Sequence, residues 1–214
     1  MSNLPEPNHW REGRRQAARE AIVRAAWTLV DEEGLAGLSL RDLARRAGIT
    51  TPTVYAYFES KSAIYDAMFG QAATEFADTM AARIDGDGPH EVLATYARRF
   101  VEFCTSDPAR YQLLFQRTLP GFEPTPESFA PAIRALANTQ ELLASHGITD
   151  ERHIDLWTAL VTGLVDQQIS NDPGGDRWTG LVDESVTMLL AHSQSNRQSP
   201  QPPSRTTRTR GPRS

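Results

Sequence analysis

The chain of 214 residues is 39% hydrophobic and 23% charged, proportions that are ordinary for a globular protein with a substantial core. A single cysteine, Cys104, excludes an internal disulfide and a multi-cysteine zinc site. No apolar run approaches the roughly 20 residues of a membrane-spanning helix, and no apolar segment follows the first charges as it would in a secretory signal. These features predict a cytoplasmic protein.

The net charge of −5 argues against nucleic-acid binding only until its distribution is considered. Five arginines and no acidic residue follow Glu184, and residues 11–61 hold nine basic residues and seven acidic ones. Both ends are therefore more basic than the middle, so the local placement of charge decides which partners are possible.

The first part of the chain predicts a loose arm followed by a helix. Residues 1–10 contain two prolines and no apolar periodicity, which indicates a flexible arm. Over residues 11–33, apolar side chains recur at helical spacing, for example at Ile22, Ala26 and Leu29. Gly34 is a natural end for this helix, because glycine readily adopts the left-handed conformation that follows a helix.

Residues 39–61 predict two short helices joined by a tight turn. Ser39 and Thr50 suit the N-cap positions of the two helices, and Gly48 suits the turn between them. Pro52 falls in the first turn of the second helix, where a missing N–H costs little. The inner face is predicted to be apolar and to consist of Leu40, Leu43, Ala44, Ala47, Val54 and Phe58.

The rest of the chain predicts further helices up to about residue 192. A fourth helix opens at Ser60 or Lys61 and fades before a loop over residues 85–89. Later helices are expected near residues 89–105, 108–118, 125–146 and 150–170, with a last one around Trp178. Residues 193–214, rich in Ser, Gln, Pro, Thr and Arg, predict a disordered tail. No strand pattern is visible, so the sequence predicts an all-α fold of about nine helices, divided between residues 11–60 and 61–192.

The outward-facing residues of segment 39–61 form a polar, aromatic and basic surface. Thr51 and Thr53 lie in the first turn of the second short helix, the part that meets base edges when such a helix enters the major groove. Tyr55 and Lys61 suit phosphate oxygens, which fix register without reading sequence, and Arg41 suits either a base or a phosphate. This surface favours a helix-turn-helix that binds DNA over a solvated helical hairpin.

The run from Leu38 to Lys61 resembles the N-terminal module of TetR-family transcriptional regulators. The shared features include Gly48 at the turn, the Tyr57-Phe58 pair, and Ser60-Lys61 before the fourth helix, within a match over roughly residues 15–65. The resemblance implies a three-helix DNA-binding domain whose DNA contacts are Arg41, Thr50, Thr51, Pro52, Thr53, Tyr55, Tyr57 and Lys61. Among these, Thr51, Pro52, Thr53 and Tyr57 would lie at the bases, and Arg41, Tyr55 and Lys61 would anchor the backbone.

The resemblance further implies a C-terminal helical domain for ligand binding and dimerisation. In this interpretation a homodimer binds a palindromic operator in double-stranded DNA, and a small molecule releases it. Two long helices near the C-terminus carry apolar faces suited to a four-helix dimer interface. The predicted interface residues are Trp157, Val161, Leu164, Trp178, Val182, Val186 and Leu189. Ordinary packing of these residues within one chain is the alternative.

The effector is expected to occupy an apolar cavity among the middle helices. Aromatic side chains at helical spacing are typical of such a cavity and equally of a simple core, so both interpretations stay open. The candidate lining residues are Phe100, Phe103, Tyr111, Phe115 and Trp157, with Tyr96, Gln116 and Gln167 as polar groups. No metal site and no cofactor are predicted, because the candidate histidines His90, His146 and His153 are scattered along the sequence. Cys104 is expected to be a buried structural thiol.

These features predict a ligand-released repressor and not an enzyme. An activator, or a regulator of the same fold without a ligand, is the alternative. An all-helical enzyme that uses the central cavity is less favoured, because the sequence shows no Ser/His/Asp arrangement, no metal-ligand spacing and no Gly-rich phosphate loop. A protein-interaction module would instead bind a partner protein through the surface of residues 51–57.

Overall fold

The computed structural model describes residues 7–198 and the side chains of residues 10–195. This part of the chain consists of helices and connecting loops, without a strand, which confirms the all-α prediction. The helices are α1 (Pro7–Gly37), α2 (Leu40–Arg46), α3 (Thr51–Tyr57), α4 (Lys61–Ala81), α5 (Pro89–Ser106), α6 (Pro108–Phe115), α7 (Pro126–Ser145), α8 (Glu151–Asn171) and α9 (Val182–Gln198), with a 3-10 turn at Thr179–Leu181.

The predicted arm and tail boundaries need correction, and α6 ends at Phe115 instead of near residue 118. Helix α1 begins at Pro7, so residues 7–10 belong to the helix and not to a loose arm. Helix α9 continues to Gln198, six residues into the segment predicted as a disordered tail. Residues 1–6 and 199–214, on which the rest of these two predictions falls, lie outside the described residues. Proline is compatible with a first helical turn, which explains why Pro7 does not prevent the longer α1.

Two apolar cores share helix α4. The first half of α4, from Ile64 to Ala73, packs with α1, α2 and α3 in one core. Its second half, through Phe76 and Met80, packs with α5, α8 and α9 in the other. Helix α4 is therefore one continuous helix that contributes to both cores. The domain boundary predicted at residue 60 stays a prediction.

Helix α7 packs extensively along α4 and is anchored to it by a carboxylate. The Asp66 side chain of α4 accepts hydrogen bonds from the Thr125 backbone N–H at 2.6 Å and the Thr125 hydroxyl at 3.0 Å. It also accepts one from the Ser128 hydroxyl at 2.8 Å. One turn later, Gly70 leaves so little space that a Cβ there would lie 3.1 Å from the Ser128 Oγ. The N-terminus of α7 is therefore fixed to the end of α4 that lies next to the helix-turn-helix.

The residues predicted as a dimer interface are mostly interior to the single chain, which corrects that prediction. Trp157, Val161, Leu164, Val182, Val186 and Leu189 are each at most 9% exposed and belong to the core around α5, α8 and α9. Trp178 is half-buried. Side chains already covered by their own chain are not available to a second one. The large apolar residues that α8, the 3-10 turn and α9 leave exposed are Leu156 at 37%, Leu181 at 38% and Met188 at 60%.

Candidate DNA interface and ligand cavity

The turn between α2 and α3 is built by the local features that the sequence predicted. The Ser39 hydroxyl accepts the Asp42 backbone N–H at 3.1 Å and caps α2. Gly48 takes a φ of +68°, the left-handed conformation that ends α2, and the Ile49 N–H then donates to the Ala44 carbonyl at 3.0 Å. Because these bonds are short-range, they fix the angle between the two helices locally.

Helix α3 presents a mixed surface and buries only a narrow face. Val54, and Phe58 immediately after the helix, are buried in the core with α1 and α4. Pro52 and Tyr55 are exposed, with Tyr55 at 52%. The remaining predicted contacts on the helix, Thr51, Thr53 and Tyr57, are half-buried.

Thr50 caps α3 through its hydroxyl, which accepts the Thr53 N–H at 3.3 Å. The Thr50 and Thr53 hydroxyls also lie 2.8 Å apart, and this second hydrogen bond orients the Thr53 side chain at the start of the helix. No acidic residue lies in the first turn of α3 or of α4.

The three arginines of α2 differ in whether they form an ion pair within the chain. Arg45 pairs with Asp42 at 2.7 Å, and Arg46 forms two hydrogen bonds to the Glu32 carboxylate of α1, one of them at 2.8 Å. These bonds raise the pKa of Arg46, and the hydrogen bond from Ser39 lowers the pKa of Asp42. Arg41 is exposed and has no ion-pair partner among residues 10–195. Of the three, Arg41 is the one without an ion pair, although its charge contributes to the lowered pKa of Asp42.

Long-range contacts hold α3 and α4 in place. Arg19 of α1 donates to the Tyr57 carbonyl at the end of α3, and its guanidinium lies 4.1 Å from the centre of the Phe58 ring. The Tyr65 hydroxyl of α4 donates to the Leu35 carbonyl at 2.5 Å, which ties α4 to the end of α1. Lys61, at the first position of α4, lies with its Nζ 5.4 Å from the centre of the Tyr65 ring.

An apolar cavity of about 130 Å³ lies between α4, α5, α7 and α8. Four of the eight predicted pocket residues line it, namely Tyr96, Phe100, Phe115 and Trp157. The Tyr96 hydroxyl lies 2.6 Å from the Thr139 hydroxyl of α7, and burial raises the pKa of Tyr96. Neutral aromatic rings and a few hydroxyls give this cavity the character of a site for an uncharged, apolar group.

The other four predicted pocket residues do not line this cavity, although Gln116 lines an adjoining groove that is lined in part by Phe115. Phe103 packs on Phe76 with ring centres 5.2 Å apart, and Gln167 is exposed and accepts a hydrogen bond from Asn171 at 2.7 Å. Tyr111 and Gln116 both donate to the Asp166 carboxylate at 2.8 Å. Their aromatic or polar side chains suit these structural contacts as well as they would suit a ligand cavity. The sequence alone could not distinguish cavity lining from structural packing.

Helix α7 supplies cavity residues that the sequence reasoning missed. Ala132, Ala135, Leu136 and Thr139 all line the cavity. Their spacing of three and four residues was a usable signal, because it places all four on one face of a helix. A search restricted to aromatic side chains overlooks them.

A second groove of about 450 Å³ adjoins the cavity. It is lined by the loop after α6 and by Phe69 and Phe129, and it shares Leu114 and Phe115 with the cavity. Phe115 is 39% exposed although its ring packs on Phe76 and Phe100. The Phe115 side chain therefore lies at the boundary between the cavity and the groove.

Cys104 is fully buried, and this burial together with the Asp166 carboxylate raises the pKa of its thiol well above the usual range. Such a thiol is unreactive at neutral pH. In the part of the chain that the structure describes, no three His, Cys, Asp or Glu residues are grouped to hold a metal ion. Within residues 7–198, no helix combines the length and apolar character that a membrane crossing requires.

The capped α3 presented by α1, α2 and α4 defines a helix-turn-helix DNA-binding unit, attached to a helical domain with an apolar cavity. A family model described as "Bacterial regulatory proteins, tetR family" matches residues 22–68. The HTH-type transcriptional regulator Rv1816 of Mycobacterium tuberculosis is 32% identical over 198 residues, a match that covers 80% of this chain and 82% of that protein. The chain belongs to the TetR family of transcriptional regulators, which confirms the resemblance and the DNA-binding function.

More distant relatives show where the similarity is concentrated. The class C tetracycline repressor of Escherichia coli is 42% identical, but only over 50 residues, or 23% of either chain. FadR of Bacillus subtilis, solved with stearoyl-CoA, has the same fold with a TM-score of 0.65 at 18% identity, covering 80% of this chain and 97% of that one. TetR of Acinetobacter baumannii, solved with minocycline, has a TM-score of 0.56 at 23% identity, covering 83% and 97%. The regulators that the chain resembles are transcription factors and not enzymes.

Proposed function

We propose that this regulator is a homodimeric repressor that leaves a palindromic operator when a small apolar ligand enters the cavity. The observation that carries the proposal is the position of α7. This helix forms one wall of the cavity, and Asp66 fixes its N-terminus to α4, whose first residue is Lys61. A cytoplasmic location, where the protein has access to DNA, belongs to the same proposal.

In the DNA complex, the N-terminal end of α3 enters the major groove. Thr51, Pro52, Thr53 and Tyr57 contact base edges, and Arg41, Thr50, Tyr55 and Lys61 contact the backbone. The free charge of Arg41, the exposed Tyr55 ring and the absence of acidic residues in the first turns of α3 and α4 support this assignment. Hydroxyl, phenol and cationic groups are the types that proteins use for phosphates and base edges.

Dimerisation uses the outer faces of α8 and α9 together with the intervening 3-10 turn. Leu156, Leu181 and Met188 replace the buried residues of the original prediction, because they are the large apolar side chains left exposed there. A second copy of the chain would cover them and place two α3 helices on one face of the duplex. DNA then requires a separation of about 34 Å, or a multiple, between the two recognition helices.

The ligand is a compact apolar molecule, or an elongated one that displaces Phe115 and continues into the adjoining groove. The structures of FadR with stearoyl-CoA and TetR with minocycline support small-molecule binding within this fold, although neither identifies the ligand of this chain. Entry of a ligand pushes α7 away from α5 and α8. Because Asp66 connects α7 to α4, the displacement of α7 also moves Lys61 and α3. The distance between the two α3 helices of the dimer changes as a result.

An activator, or a regulator that responds to no ligand, would share the fold and the DNA contacts. These alternatives differ from the repressor only in the role of the cavity. An enzyme that uses the cavity is the more remote alternative, and turnover of a bound compound by the purified protein would favour it.

The proposal is tested by a thermal-shift screen of chemically diverse apolar compounds, followed by operator-binding assays with each compound that stabilises the protein. The repressor proposal predicts that a stabilising compound lowers operator affinity. A compound that binds the cavity and leaves operator affinity unchanged would contradict ligand release.

A further inference from the structure

The first turns of α1 add a basic wall beside the recognition helix. Arg11, Arg14 and Arg15 line a shallow groove of about 770 Å³ together with residues of α3, among them Thr53 and Tyr57. The groove thus has cations on one side and the proposed base-reading residues on the other. We define these three arginines as the α1 basic wall.

The α1 basic wall is held in a fixed position relative to α3. Arg19 follows Arg15 by one helical turn, and it bonds to the Tyr57 carbonyl and packs on the Phe58 ring. Helix α1 runs without interruption from Pro7 through this point, since its one non-helical residue is Gly34. The wall is therefore part of a rigid helix anchored at the C-terminal end of α3.

The charges of the wall are unused within the described structure. All three side chains are exposed, and none forms an ion pair with a residue between 10 and 195. Arg45 and Arg46 of α2 differ, because each pairs with a carboxylate. At about 100° per residue, Glu20 lies on the opposite side of α1 from the three arginines, and Glu12 lies at the edge of the wall, about 60° from Arg15.

We propose that the α1 basic wall binds the phosphate backbone of duplex DNA next to the major groove that α3 enters. This inference rests on the proposed docking of α3, because DNA placed against Pro52 and Thr53 brings its phosphates into the same groove. Arginine is suited to this contact, since its planar guanidinium can donate two parallel hydrogen bonds to one phosphate. The contact is independent of sequence and gives a protein with a net charge of −5 a local attraction to DNA.

The test measures binding to a fluorescently labelled 40-base-pair duplex of random sequence over a range of salt concentrations. The variant Arg11→Ala/Arg14→Ala/Arg15→Ala is compared with the unchanged chain. Each lost phosphate contact lowers the slope of log K against log salt by about 0.9, and affinity at 0.1 M salt falls by roughly tenfold per contact. The variant Arg11→Lys/Arg14→Lys/Arg15→Lys keeps the charges and should retain most of the slope.

The matched control is Arg83→Ala/Arg134→Ala/Arg152→Ala, which removes the same charge from exposed positions in the loop after α4, on α7 and on α8. It should leave the slope close to that of the unchanged chain, and circular dichroism should show equal helical content in all variants. Equal affinity and slope for the wall variant and the unchanged chain would overturn the inference while leaving the docking of α3 intact. Failure of the unchanged chain to bind any duplex at low salt would overturn both.

Discussion

At the scale of single residues, the helix-turn-helix separates side chains that hold the unit together from those that are free to meet DNA. The Ser39 hydroxyl caps α2, and Arg46 is bound to Glu32. Arg41 and Tyr55 remain exposed, and Lys61 touches only an aromatic ring among its described contacts. The free groups are therefore the ones whose removal should affect DNA binding more than folding.

Substitution of Thr53 and of Lys61 should have different consequences. Lys61→Ala should weaken binding to operator and random DNA alike and lower the salt slope by about one phosphate contact per subunit, because lysine neutralises a phosphate. Thr53→Ala should reduce discrimination between operator and random DNA by about 1–3 kcal/mol, because a base contact is lost. Titrations of both DNAs at several salt concentrations measure the two effects. If both variants lose affinity for the two DNAs equally, the division into base readers and backbone anchors is wrong.

The Tyr65 hydroxyl should contribute to stability without contributing to recognition. Tyr65→Phe leaves the Leu35 carbonyl without its donor in a buried setting, and should lower the free energy of unfolding by about 1–3 kcal/mol. Tyr55→Phe, at a residue that is 52% exposed, is the matched control and should change it by less than about 0.5 kcal/mol. Urea denaturation of both variants provides the comparison. Equal stability of the two variants would show that the bond to Leu35 is not made in solution.

At the scale of helices, α4 and α7 form the mechanical connection between the two cores. Asp66 receives three hydrogen bonds from the N-terminal turn of α7, and Gly70 allows Ser128 to approach the helix backbone. The cavity residues of α7 begin one turn further on, at Ala132. We therefore expect a displacement of α7 to move α4 at the end that lies next to the helix-turn-helix.

Removal of the Asp66 carboxylate should uncouple the ligand response from ligand binding. In Asp66→Ala, a cavity ligand should still raise the melting temperature, but its effect on operator affinity should fall severalfold. Asp78→Ala, an exposed position later on α4, is the matched control and should respond as the unchanged chain does. A full ligand response in Asp66→Ala would contradict transmission through this contact.

The sequence predicted the local parts of these elements well and the long-range parts poorly. Caps such as Ser39 and the Gly48 turn depend on neighbours within a few residues, so residue type and spacing suffice. The Asp66–Thr125 contact joins residues 59 positions apart, and nothing in either local pattern indicates the other. Aromatic residues such as Tyr111 could not be assigned to cavity or core, because periodicity identifies an inner face but not an empty space beside it.

At the scale of the whole molecule, the proposed dimer brings together two copies of α3, each of which would recognise one half-site. The residues first predicted for the dimer interface, such as Trp157 and Val186, form the core of the single chain. When a helix has apolar residues on two faces, the sequence does not show which face packs within the chain and which could pack against a second chain. Exposure within the folded chain resolves this and points to Leu156, Leu181 and Met188.

A charge placed on the exposed face of α9 should separate the subunits. Met188→Arg should give a monomer at micromolar concentration, with helical content preserved and operator binding lost, because a buried unpaired charge is incompatible with an apolar interface. Analytical ultracentrifugation and circular dichroism measure these outcomes. Ile133→Arg, at a 54% exposed position on α7, is the matched control and should remain dimeric. Dissociation by the control but not by Met188→Arg would place the interface along α7 instead.

Selection of bound sequences from a random duplex library, followed by footprinting of the enriched sequence, tests the proposed repressor most directly. A dimer with two copies of α3 should enrich an inverted repeat, protected as two half-sites whose centres lie about 34 Å, or a multiple, apart. A compound that raises the melting temperature of the protein should remove both protections together. Enrichment of a single unrepeated site by a monomer, or no enrichment at all, would contradict the proposed dimeric repressor.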